Sequence, residues 1–130
     1  MLALGAAFGA RASDDCGAAL KTPTPWFAEA DGARIAFVPR PSPAPVGQHF
    51  NLDFVVCAAS AVRTDAAIQV DAEMPAHRHG MNYRATVSTV SPGVYRAEGL
   101  MFHMPGRWRV IFDLPLEGRT LRLTRELDVQ

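Results

Sequence analysis

From Ala33 onward the apolar and polar residues alternate in short runs with a period of two. In an extended chain that period puts successive side chains on opposite faces, so each run predicts a strand with one buried face. Ile35 and Phe37 mark the first, over 33–38. Phe50, Leu52, Phe54 and Val56 alternate with Asn51 and Asp53 in the second, and Ile68, Val70, Ala72 and Met74 with Gln69, Asp71 and Glu73 in the third. Tyr83, Ala85 and Val87 mark a fourth, the run Val94 to Met101 a fifth, and Trp108, Val110, Phe112 and Leu114 a sixth. Leu121, Leu123, Leu127 and Val129 give the last. Arg125 falls on its inward parity, which predicts a bulge or a guarded edge. Prolines 39–45, Ser91-Pro92-Gly93 and Leu116-Glu117-Gly118 separate the runs. Residues 17–32, with Thr22-Pro23-Thr24-Pro25, predict an extended or irregular lead-in.

Seven short strands with turns between them predict an all-β fold, an immunoglobulin-like antiparallel β-sandwich of about seven strands over residues 33–130. The Cys-Trp-Cys spacing of antibody domains is absent, so the expectation covers architecture alone. A chain of 130 residues, 48% apolar and 20% charged, fits one globular domain. Thirteen basic residues balance thirteen acidic ones without a basic run, which argues against nucleic acid or anionic membrane as a partner. No apolar stretch reaches the ~18 residues of a membrane-spanning helix. There is no glycine-rich nucleotide motif, no GxSxG and no HExxH. Without a Ser-His-Asp, paired-carboxylate or Cys-His constellation, no enzymatic activity is expected.

Residues 1–12, MLALGAAFGARA, are a small-residue apolar run closed by Ala10-Arg11-Ala12. They read as a signal-peptide remnant, with the mature chain starting near Ser13 and a lead-in over 13–32. Two cysteines in a small exported domain usually pair, so a Cys16–Cys57 disulfide is expected.

If successive strands reverse direction, loop 39–46, segment 74–82, segment 102–106 and His49 collect at one end of the sandwich. Cys57 and the lead-in lie at the other, where Cys16 can reach Cys57. The first end holds two unusual clusters. One is Met74-Pro75-Ala76-His77-Arg78-His79-Gly80-Met81, the other Met101-Phe102-His103-Met104-Pro105-Gly106. In extended chain His77 and His79 share a face about 6.5–7 Å apart, and Met81 continues that parity. Thioether sulfur is a soft neutral ligand, and with imidazole it selects copper, Cu(I) above all, over hard cations. Zinc more often recruits cysteine or carboxylate, and neither occurs inside the clusters. His79 and His103 are therefore the leading ligands, with sulfur from Met81 or Met104. His77 and Met74 are supporting or alternate ligands. By parity Met74 and Met101 also suit a core position, and His49 reads as structural.

The run MPAHRHGM, followed by SPGVYRAEGLMFHMPGRWRVIFDL, resembles the YtkA-like family of small exported domains. In that family an MP-x-H-x-HGM stretch precedes a G-x-Y and then an HMPG-x-W stretch. The resemblance covers roughly residues 33–115. It implies an immunoglobulin-like sandwich in the bacterial envelope and a copper-related function, with matching positions Met74, His77, His79, Met81, His103 and Met104. The expectation is a periplasmic protein that holds Cu(I) for storage, delivery or homeostasis and passes it to a protein partner. A homodimer sharing the metal between chains would leave the same pattern. The alternative is a non-metal interaction module that assists assembly of an envelope or respiratory complex. Copper bound to the purified protein separates the two.

Overall fold

The computed structural model describes residues 15–58 and 67–130; the segment read as a signal remnant, 1–12, lies outside the described residues. Among the described residues, a single 3-10 turn at Ala18–Leu20 precedes nine strands. They are β1 Trp26–Ala30, β2 Ala33–Arg40, β3 His49–Ala58, β4 Gln69–Met74, β5 His79–Gly80, β6 Thr86–Ser91, β7 Val94–Met101, β8 Gly106–Leu116 and β9 Arg119–Val129. The seven expected strands are β2, β3, β4, β6, β7, β8 and β9. The two additions are short.

One addition is a correction to the irregular lead-in. Trp26–Ala30 pairs antiparallel with β2 across Asp31-Gly32, both of which adopt positive φ (46° and 79°). Two successive positive-φ residues make a two-residue hairpin turn, and Asp-Gly is among its strongest sequence signals. The prolines at 23 and 25 end before the strand begins. A second correction concerns Tyr83 and Ala85, which precede β6 rather than belong to it. Segment 81–85 carries the chain from one sheet to the other, so it cannot hold a place in either ladder.

The strands form two antiparallel sheets, ordered β1-β2-β3-β7-β6 and β5-β4-β8-β9. Without β1 and β5 this is the four-plus-three arrangement of an immunoglobulin-like sandwich. Trp108, Val110, Phe112 and Leu114 of β8 have no solvent exposure, and neither do Ile35, Phe37, Leu52 and Phe54 of the facing sheet. Phe112 lies between Phe37 and Phe54, with ring centres 5.2 and 5.3 Å away. In β7 the register against β3 shifts beside Gly99, whose φ is 87°. The bulge resets the alternation, so Ala97, Leu100 and Phe102 are all buried. β9 pairs with β8 without interruption from Arg119 to Val129. Arg125 thus marks a guarded edge, not a bulge: its guanidinium lies 5.1 Å from the Trp26 ring and donates to the Phe27 carbonyl at 3.3 Å.

The outer face of the larger sheet is also covered. Ala36 and Val38 of β2 and Val94 of β7 pack with Cys16 and Leu20 in a second, smaller core. The Cys16–Cys57 disulfide pins this lead-in at one end of the sandwich, with Cα atoms 6.0 Å apart. Gly17 lies so close to the sheet that a Cβ there would come 2.5 Å from the Ala36 Cβ. At the other end Arg40 donates to the Leu20 carbonyl at 2.9 Å.

Under this cover sits Asp53, which strict alternation assigns to solvent but which is 6% exposed. Arg96 grips it with two bonds (2.7 and 3.1 Å), and Arg40 adds a third at 3.3 Å. Burial alone would raise the Asp53 pKa. The hydrogen bonds and charges of Arg96, then Arg40, outweigh it and hold the carboxyl below its usual range. The folded-state pKa is therefore depressed. Its stabilisation is complete above the unfolded value near ~4 and disappears as pH falls through the folded value. Asp53→Asn is expected to cost about 2 kcal/mol at pH 7, the worth of charge-assisted hydrogen bonds whose arginines keep partial access to water. Urea unfolding of both proteins at pH 7 and pH 3 checks this, and the gap between them should narrow in acid.

Candidate functional site

Both Met/His clusters meet at the end of the sandwich where β4, β7 and β8 turn. The first is a tight hairpin. β4 and β5 pair through Glu73 with Gly80 and Met74 with His79, leaving Pro75–Arg78 as the loop. The His77 amide donates to the Met74 carbonyl at 3.1 Å, and Arg78 closes the turn at φ 51°. Past the hairpin, the Met81 amide returns to the Ala72 carbonyl at 3.2 Å. Only two residue pairs make up β5, but they place His77 and His79 on the same lip.

The second cluster is the connection from β7 to β8. Phe102 is fully buried, its ring 4.7 Å from Phe50 and 4.9 Å from Trp108. It thus anchors the loop, and His103 follows exposed at the surface. Gly106 begins β8 at φ 137°, and a Cβ there would lie 2.7 Å from the terminal methyl of Met74. Gly106→Ala is expected to lower stability by about 1–3 kcal/mol through backbone strain and displacement of the Met74 methyl. Chemical denaturation reads that loss directly.

The fold brings three imidazoles together. His79 is central, with its ring centre 5.6 Å from His77 and 5.0 Å from His103. A metal–nitrogen bond is about 2 Å and the ring centre lies roughly 1 Å further back, so two rings sharing one ion can stand up to ~6 Å apart. Both observed spacings meet that limit. Among the described residues, no group of three or more His, Cys, Asp or Glu side chains is placed to hold a metal ion as it stands. Further donors would have to come from sulfur. Met81 and Met104 are half-buried and pack against the core edge. The nearest carboxylate in sequence, Glu73, is engaged by Arg109 at 3.1 Å. All three histidines are exposed, so their rings can turn toward a common ion.

Of the remaining sequence candidates, Met74 is 2% exposed and belongs to the main core, while pairing across the hairpin with His79. Met101 pairs across the ladder with His49. His49 packs edge-on against Tyr83, with ring centres 4.6 Å apart, and has no part in the histidine cluster. One contributor to the site, Trp108, escapes the sequence reading, and Tyr83, outside the cluster, is placed differently from it. Trp108 appears there as an inward strand residue and as the Trp of the HMPG-x-W stretch, without a role at the site, yet its ring lies edge-on to His103 at 5.2 Å and to His79 at 6.3 Å. Tyr83 is assigned inward by alternation but is 47% exposed beside His49. The first had a signal in the short spacing between His103 and Trp108. The second had none, because alternation cannot register a change of sheet.

A family model described as YtkA-like matches residues 27–113, more than half of the chain and all six Met and His positions proposed as ligands. No curated protein and no solved structure gave a match.

Proposed function

The chain belongs to the YtkA-like family, and on that footing we propose that it is a periplasmic copper-binding protein. It holds Cu(I) at the exposed His/Met end of the sandwich for storage, delivery or homeostasis. His79 and His103 are the principal ligands, with sulfur from Met81 or Met104 and with His77 in support. The observation that carries this reading is the approach of His79 to His103, 24 positions away in sequence, with His77 of its own hairpin on its other side. Imidazole and thioether, without a free carboxylate in the cluster, favour soft Cu(I) over hard ions. Neutral donors also suit a monovalent charge.

Exposure suits transfer to a protein partner, which can approach an ion bound at a lip more readily than one in a closed core. The disulfide and the small all-β domain fit an exported protein. The proposal gives the domain no reaction of its own. Metal analysis of the protein purified from the periplasm of copper-fed bacteria tests metal and compartment together. Near-stoichiometric copper is expected. Periplasmic protein free of copper would favour the interaction-module alternative.

A further inference from the structure

Trp108 differs in kind from the other inward residues of β8. Val110, Phe112 and Leu114 bring nothing polar into the core, whereas an indole brings an N–H that must be satisfied when buried. Trp108 has no solvent exposure, and its Nε1–H donates to the Met104 carbonyl at 3.0 Å. The acceptor lies in the loop that carries His103. On the other side of His103, the Phe102 carbonyl accepts from the Gly47 amide at 2.8 Å. His103 is thus held between two tethered carbonyls. The indole also lies edge-on to the imidazoles of both clusters.

We propose that Trp108 is the positioning residue of the copper site, its indole N–H fixing the Met104 carbonyl and so presenting His103 and Met104 toward His79. This rests on the copper reading above. Trp108 does not bind the ion. It reduces the freedom that the 102–105 loop would otherwise lose on binding, and preorganisation of this kind appears as affinity. Linkage then requires the reverse effect: if the hydrogen bond favours the loaded site, loading must strengthen the hydrogen bond.

Trp108→Phe keeps an aromatic ring against Phe102 and removes only the donor and some area. Anaerobic Cu(I) competition is expected to show binding weakened roughly three- to tenfold, the range of one hydrogen bond. A purely structural tryptophan would lower the melting temperature but leave Cu(I) affinity unchanged. That result overturns the proposal while the copper reading stands.

Hydrogen exchange in the wild-type protein supplies a test that needs no variant. Cu(I) is diamagnetic, so the Trp108 indole N–H can be followed by NMR with and without the ion. Its exchange should slow on loading. An unchanged or faster rate overturns the proposal. A wild type that binds no Cu(I) overturns both the proposal and the reading beneath it.

Discussion

Replacing Cys16 and Cys57 together by serine is expected to destabilise the domain by about 4 kcal/mol, the chain-entropy value for a closed loop of this length. The bond joins residues 41 apart in sequence. For a domain of this size the loss corresponds to roughly 10–15 °C in melting temperature. It also removes the pin on the lead-in, which packs Leu20 over Ala36 and Val38 and offers its Leu20 carbonyl to Arg40. Without that pin the cover over Asp53 should open first. Hydrogen exchange in β2 and β3 would then rise before the β8–β9 ladder is affected. The melting temperature of the oxidised protein, compared with that of the double variant, gives the answer. A difference of only a degree or two would mean that the outer core holds the lead-in without the bond. Cu(I) affinity should stay the same in the double variant, because Cys57 and the histidine cluster occupy opposite ends of the sandwich.

His79→Ala and His103→Ala should each weaken Cu(I) binding by roughly a hundredfold or more, since even groups that merely orient metal ligands contribute ~10–100-fold. His79 should be the more damaging of the two, because it is the ring common to both close pairs. His77→Ala should cost less. His49→Ala should change affinity by less than about threefold, an effect typical of a distant surface position, since His49 packs on Tyr83. Binding should weaken in acid, because protons compete with the metal for the imidazole nitrogen lone pair, whereas thioethers take up none. Parallel anaerobic titrations of the four variants measure this order. If His49→Ala proved as damaging as His79→Ala, the ion would lie nearer the β3–β7 edge than the β4–β5 hairpin.

The sandwich was legible because its core obeys period two almost without exception. Phe50, Leu52 and Phe54, then Ile68 to Met74, then Trp108 to Leu114, each bury the residues that alternation selects. The direction count also placed the two Met/His clusters at one end. Alternation failed where a third layer covers the sheet. Asp53, Ala36 and Val38 lie on the outward parity, but the lead-in buries Ala36 and Val38 and the Arg40 and Arg96 side chains cover Asp53, and the prolines of that lead-in hid its docking. It failed again at residues 81–85, where the chain leaves one sheet for the other. At Met74 the sequence offered both a core position and a ligand position. Its burial, at 2% exposure, gives it the core position. Trp108 was correctly placed inward, but its role depends on an indole N–H reaching back four residues, a contact invisible to hydrophobic patterning.

The most direct measurement is an anaerobic competition titration of the oxidised protein with Cu(I) and a chromophoric Cu(I) chelator, beside the His79→Ala/His103→Ala double variant. The wild type should bind one Cu(I) per chain, tightly enough to draw metal from the chelator, and the double variant almost none. Wild-type protein that leaves the chelator fully loaded, or a double variant that competes as well as the wild type, would contradict this.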